Sequence, residues 1–392
     1  MLLGALSALG SVVRADPLPT PLLDGVLTVA LEGVSRTERA AAIYRTAAAA
    51  GGWPVIGPGR NLRADDDDGR IGALRRRLVA TGDLDSAGAA SGGGMDAMLV
   101  AAVRRFQARH GLAADGIVGT RTRAALNVPA AERAAALEAN AARMAALAGR
   151  VAPRALVVNI PAAELVLFSD GRAVLRSRVI VGRPTWPTPV LDSVITRVEI
   201  NPYWTVPANI ARRELLPRIA AEPDYLRANE MRVLSGPPGA QTEVPPERVN
   251  WRRFAAQGYR LRQDPGPGNP LGVIKFSFAN PYDVYLHDTP GRAAFHRDRR
   301  ALSHGCVRVE EAFDLAVRLL AGTGEWDAAR LRGAIDAGRH RVVPLAAPAP
   351  VHIVYVTAWV DPLRTVQFRD DIYGRDRHAA LASASQPCGP SA

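Results

Sequence analysis

Two hydrophobic periodicities divide the chain near residue 154. Before it, apolar residues recur at helical spacing: Leu99, Val103 and Phe106 stand at i, i+4 and i+7, one stripe of a helix predicted over Met95 to His110. Gly111 closes that helix, Ala114 to Gly116 supply a turn, and Gly119 and Thr120 open a short helix ending at Leu126. With a further helix over Ile71 to Leu78 and a Gly/Ser/Ala-rich insert running through Gly94, this predicts a small three-helix module over 67–127. Leu27 to Ala50, alanine-rich and without strand alternation, reads as helix within an N-terminal segment 16–66. Ala131 to Leu147 reads as a helical linker within 128–153.

After residue 154 the period shortens. Ala155 to Ile160, Leu165 to Phe168, Val174 to Val181 and Val194 to Ile200 alternate or run apolar with β-branched residues between Gly and Asp turns, as strands do. Strands resume at Val273 to Phe278 and Val284 to His287, a helix spans Glu310 to Leu320, and Ile353 to Trp359 with Thr365 to Phe368 predict a last hairpin. Ile210 to Arg232 reads as polar helix leading into Gly/Pro-rich stretches at 236–246 and 264–272, and an insertion of this length between strands predicts a lid. The fold expected is multidomain α+β: a β-rich domain over 154–347 with a helical lid at about 208–250, a β extension over 348–376, a disordered tail over 377–392, and the separate helical module.

Composition narrows the choices. A chain of 392 residues with 48% hydrophobic and 22% charged residues builds more than one folded core. The net charge of +11 is carried by arginine, since Lys275 is the one lysine, and the arginines are scattered apart from Arg75 to Arg77. Without an aromatic-rich recognition pattern, no nucleic-acid partner is expected. Met1 to Ala15 holds an apolar run too short for a bilayer span, which reads as a secretion signal, cleaved or retained as an anchor, with a buried helix as the alternative; no other stretch is long and apolar enough, so no stable membrane span is expected in the mature protein. Asp65 to Asp68 lacks the ligand spacing of a calcium loop, and His110 has no second ligand nearby, so no metal and no cofactor are expected. Cys306 and Cys388 are the two cysteines, and Cys388 lies in the tail, so no disulfide framework supports the fold.

The most informative chemistry lies between Tyr285 and Arg308. His287 ends a predicted strand, and after fifteen intervening residues come Ser303, His304, Gly305 and Cys306. A cysteine nucleophile needs its thiolate, which a histidine within hydrogen-bond reach and a following helix N-terminus, here at Glu310, both favour. Gly305 permits an unusual backbone angle, so the N–H groups around Gly305 and Cys306 are candidate oxyanion donors. The residues alone leave two readings open: nucleophilic catalysis, or an inert buried cysteine beside two core histidines.

Two resemblances decide between them. Ala102, Val103, Phe106, Gln107, Gly111 and Leu112, followed by Asp115, Gly116, Gly119 and Thr122, resemble the pattern of peptidoglycan-binding modules. His287 with Ser303, His304, Gly305 and Cys306 matches the L,D-transpeptidase (YkuD-type) signature; Arg308 departs from its usual Asn and, with Tyr285 to Pro290, Asn201 to Ile210, Lys275 with Phe276, Tyr355 to Trp359 and Phe368 to Gly374, resembles the larger periplasmic branch. The resemblance implies a periplasmic enzyme that cross-links peptidoglycan tetrapeptide stems, donor and acceptor, through a Cys306 thioester. His287 would be the base, Ser303, His304 and Gly305 would shape the catalytic loop, and Arg308, Tyr285 and Asn280 would bind substrate. Carbapenem inhibition is implied too. The alternatives are an L,D-carboxypeptidase on the same cysteine, with water as acceptor, and a non-catalytic wall-binding scaffold.

Overall fold

The computed structural model describes residues 30–86, 93–222, 224–237 and 239–376; the segment Met1 to Ala15 and the tail with Cys388 lie outside them. Helices Ile71–Val79, Ala97–Arg109 and Thr120–Leu126 close on one core that includes Leu74, Leu99, Val103, Phe106 and Leu126. Asp96 caps the second of them, its side chain accepting from the Leu99 N–H at 2.8 Å. Helix Ala130–Ala148, expected as a linker, is part of the packed body: it lies along helix Ala30–Ala49 and sets Ala141, Met144 and Leu147 on Val157, Val166 and Phe168 of the sheet.

The strands are β1 (Ala155–Asn159), β2 (Glu164–Ser169), β3 (Arg172–Gly182), β4 (Leu191–Ile200), β5 (Trp204–Thr205), β6 (Met231–Ser235), β7 (Thr242–Val244), β8 (Arg260–Gln263), β9 (Ile274–Phe278), β10 (Leu286–His287), β11 (Ala301–Ser303), β12 (Val307–Val309), β13 (Arg341–Val354), β14 (Ala358–Val360) and β15 (Val366–Phe368). Nine form one sheet in the order β11-β3-β12-β10-β9-β4-β13-β1-β2. The first half of β3 also pairs with β2, so the sheet closes on itself. Its core holds Leu156, Leu165, Val179, Val198, Phe276, Leu286 and Val307, and helix Ala312–Leu320 packs Leu315 and Leu319 against them. β14 and β15 form the C-terminal hairpin.

The insertion between β4 and β9 is helical only in part. Its α-helical turns end at Ala228, with two 3-10 turns at Pro246–Arg248 and Trp251–Arg253 beyond, and the run predicted as helix through Arg232 turns to strand at Met231, because Met231 and Val233 are buried while Arg232 between them is exposed. A four-stranded sheet, β5-β8-β6-β7, covers a separate core of Leu215, Met231, Val233, Phe254 and Leu261.

Leu286 is fully buried in the main core. Leu286→Ala is expected to cost about 2–5 kcal/mol and Leu286→Met under about 1.5 kcal/mol, read as the fall in thermal unfolding midpoint by calorimetry. Equal midpoints for the two variants would show that the packing described for β10 is wrong.

Candidate active site

β10 and β12 run parallel with Leu286 opposite Val307 and His287 opposite Arg308. Leu286 and Val307 point into the core, and since side chains alternate along a strand, Tyr285, His287, Cys306 and Arg308 face the other way. β9 places Lys275 opposite His287, and β4 places Glu199 opposite Lys275. A polar row of Glu199, Lys275, His287 and Arg308 thus crosses four strands, with Lys275 Nζ 3.4 Å from Glu199 Oε1 and 4.6 Å from the centre of the Tyr285 ring. Over this face Trp204, Pro207 and Ile210 of the insertion and the Tyr282–Val284 segment close a cleft of about 330 Å³, whose floor includes Tyr285, His287, Ser303, His304, Cys306 and Arg308.

The turn carrying Cys306 is held from several sides. Ser303 Oγ donates to the Cys306 carbonyl at 2.5 Å and accepts from the Gly305 N–H at 3.2 Å. Thr188 Oγ1 donates to the Gly305 carbonyl at 2.8 Å and accepts from the Gly182 N–H at 2.8 Å, while the Tyr373 hydroxyl accepts from the Thr188 N–H at 3.1 Å. Gly305 sits at φ +112°, where a side chain would strain the backbone. Its N–H, expected as an oxyanion donor, is instead taken by Ser303 Oγ, which corrects that expectation.

Burial sets the charge state. Burial pushes the Cys306 thiol above its ordinary value of 9.0, outweighing the hydrogen bonds from Tyr285 and the positive charges of Lys275 and Arg308 that favour the thiolate. Burial, then the nearby Arg308 and Lys275 cations, push His287 down to about 3, against main-chain hydrogen bonds to Asp288 and Leu271 that work the other way. The resting pair is therefore neutral thiol and neutral imidazole. His287 Nδ1 lies 2.5 Å from the Asp288 carbonyl, and since a carbonyl only accepts, Nδ1 carries the proton and Nε2 is the basic nitrogen. The helix expected to begin at Glu310 and act on Cys306 begins at Ala312, beyond β12, so its dipole is not at the sulfur.

His304 faces the insertion. Its Nε2 lies 2.6 Å from Glu214 Oε1, which also accepts from Arg183 Nη2 at 3.0 Å, and Trp186 packs edge-on to the His304 ring at 5.0 Å. Burial raises the Glu214 carboxyl, but bonds from His304 and Arg183 outweigh it and hold the carboxyl below its ordinary value. Glu214 lies in a π-helical turn, Ala211–Leu215. Arg308 is half-buried and, among the described residues, pairs with no carboxylate. Asn280, expected to bind substrate, is fully engaged elsewhere: its Nδ2 donates to the Phe278 and Val284 carbonyls at 3.1 and 2.7 Å, and its Oδ1 accepts from the Tyr282 and Val284 N–H groups. Glu199, Glu214 and Thr188 escaped the sequence reading. For Glu199 and Lys275 a signal existed, a charged residue set between two apolar ones, Val198 and Ile200 in one strand and Ile274 and Phe276 in the other; Glu214 and Thr188 join the site through long-range contacts with no local signature.

Residues 153–343 match the family model described as the L,D-transpeptidase catalytic domain, and residues 67–126 match that of the peptidoglycan binding domain. A Haemophilus influenzae protein provisionally named an L,D-transpeptidase is 37% identical over 228 residues, which cover 58% of this chain and 45% of that protein, so the match spans less than half the relative's length. Among solved structures, an L,D-transpeptidase from Mycobacterium smegmatis aligns over 52% of this chain and 59% of its own at 15% identity and TM-score 0.24. One from Mycobacterium tuberculosis aligns over 52% and 57% at 14% identity and TM-score 0.23.

Two outcomes follow from the geometry. Alkylation of Cys306 by iodoacetamide, followed by mass spectrometry from pH 5 to 10, is expected to keep rising with pH toward a midpoint above 9.0; a plateau between pH 5 and 8 would mean a thiolate–imidazolium pair instead. Glu214→Ala frees the insertion from His304. Loss of one charge-assisted bond, about 1.5 kcal/mol, is expected to loosen the cleft and speed that alkylation about tenfold at fixed pH.

Proposed function

We propose that this chain, whose residues 153–343 match the L,D-transpeptidase catalytic domain and whose residues 67–126 match a peptidoglycan binding domain, is an L,D-transpeptidase that cross-links peptidoglycan through a Cys306 thioester. The observation that carries this reading is the placing of Tyr285, His287, Cys306 and Arg308 on one face of two paired strands, inside a cleft that the insertion covers.

Cys306 Sγ attacks the carbonyl that joins diaminopimelate to the terminal D-alanine of a tetrapeptide stem, and His287 Nε2 takes the thiol proton as the S–C bond forms. Because both groups rest neutral, attack and proton transfer are coupled, and no charged pair has to be desolvated beforehand. With the Gly305 N–H occupied, the Cys306 N–H is the donor of the turn to the developing oxyanion. Imidazolium then returns the proton to the leaving D-alanine amine, and the thioester remains. The side-chain amine of a second stem attacks the thioester, His287 accepts its proton, and the thiol is restored. Arg308 meets a stem carboxylate, Tyr285 lines the cleft beside the sulfur, and Cys306 Sγ donates to the Asp283 carbonyl at 3.8 Å. His304 positions the insertion through Glu214. This chemistry belongs outside the cytoplasm, where the wall polymer lies, and in the periplasm if the branch resemblance holds.

Intact mass after meropenem, on wild type and Cys306→Ala, together with chromatographic analysis of products from tetrapeptide stems, tests the proposal. An adduct on wild type alone, with diaminopimelate-to-diaminopimelate dimers, is the expected result. An adduct with only tripeptide product assigns a carboxypeptidase, and neither adduct nor product assigns a scaffold. Arg308→Ala is expected to raise KM for the stem about tenfold, the cost of one charge-assisted contact, and to leave thermal stability unchanged.

A further inference from the structure

A second and larger groove, about 810 Å³, lies where the helical module, the closed sheet and the β14–β15 hairpin meet. The three parts are joined firmly around it. Arg109 forms a buried pair with Asp83 at 2.5 Å, Arg369 donates to the Arg109 carbonyl at 3.1 Å, and the His110 ring stacks on Phe368 at 5.3 Å. The carboxylates that line the groove are already engaged. Arg121 approaches Asp298 and Asp370 at 3.4 Å each, Asp361 accepts from the Thr365 N–H and Gln367, and the charge of Glu164 acts on Arg300 and Arg369. Arg297, Arg299 and Arg364, by contrast, are exposed on the lining and pair with no carboxylate among the described residues.

A rigid groove with surplus arginine charge is built for a ligand with repeated carboxylates. Its lining offers no exposed Phe, Tyr or Trp ring on which a nucleic-acid base could stack, since Phe295 is fully buried and His296 is the one exposed ring there. Its position is equally informative. Ala301 lines the groove and Cys306 lines the catalytic cleft, five residues apart, so at most about 17 Å of chain separates them.

We propose that this groove seats a peptidoglycan strand by the carboxylates of its peptide stems, holding wall polymer across both domains beside the nucleophile. The proposal rests on the cross-linking reading for the identity of the polymer. It assigns to Arg297, Arg299 and Arg364 a role in capturing polymer and none in the chemistry at Cys306.

The test uses the full chain carrying Arg297→Glu, Arg299→Glu and Arg364→Glu together, with the three Arg→Gln changes as a milder set. Binding to purified sacculi is measured by co-sedimentation at low and high salt, and turnover is measured separately on a soluble disaccharide tetrapeptide. Sacculus affinity is expected to fall at least about tenfold at low salt, with a shallower salt dependence, while kcat/KM on the soluble stem stays within about twofold of wild type. The glutamine set is expected to shift in the same direction by less. Unchanged sacculus binding overturns the proposal, as does an equal loss on the soluble stem. So does an equal loss of binding to phosphatidylglycerol vesicles, which would show a general anion patch. If neither protein turns over stems but the variant still loses sacculi, the cross-linking reading fails and the groove stands as a wall-binding site.

Discussion

The pairing of β10 with β12, Leu286 against Val307, is the contact on which the site depends. Both side chains are completely buried, and in a sheet closed through β3 and β2 a one-residue slip would expel them and turn Tyr285, His287, Cys306 and Arg308 into the core. Core packing therefore sets the register, and the register sets which groups share the cleft. β9 and β4 extend the same logic, so that Lys275 and Glu199 share the face of the sheet that carries His287 and Arg308 by being one step out of phase with Phe276 and Val198.

Burial has a second consequence. The cover that closes the cleft removes water from Cys306 and His287, and removing water disfavours both charged forms, so the thiol rises and the imidazole falls. Lys275 and Arg308 then act in opposite senses on the two groups: their positive charge favours the thiolate and disfavours the imidazolium. A site arranged this way favours the neutral thiol at rest, the form less open to oxidation.

Strand and helix periods made much of this architecture legible in the sequence. Phe106 and Leu99 on one helical stripe, and Val198, Phe276 and Leu286 alternating with polar residues, are local patterns with one physical meaning, the separation of a core side from a wet side. The His287 to Cys306 signature could be read because its spacing lies within one stretch of chain. The insertion was harder. Its polar residues hid the alternation at Met231 and Val233, and the strand they form is held by pairing with β8, about thirty residues away. Asn280 was expected to bind substrate, and its amide meets four main-chain partners within its own turn, a set of contacts that no local pattern announces. The thiol was expected to be lowered by a helix beginning at Glu310; the helix begins at Ala312, and β12 stands between Cys306 and that end.

His304 joins these levels. It stands between a turn whose every turning point is hydrogen-bonded and an insertion with a core of its own, and it meets the insertion through a carboxylate that Arg183 also holds. A cover that packs on itself can move as a unit, so a few polar contacts at its edge decide whether it is closed. Glu214 lies in a π-turn, a local departure from regular helix that turns this side chain toward the nucleophile loop. The cover and the Cys306 turn are thus coupled at His304, so displacing the cover also bears on that turn. The coupling runs through side chains at the edge of the cover and not through the core of the closed sheet.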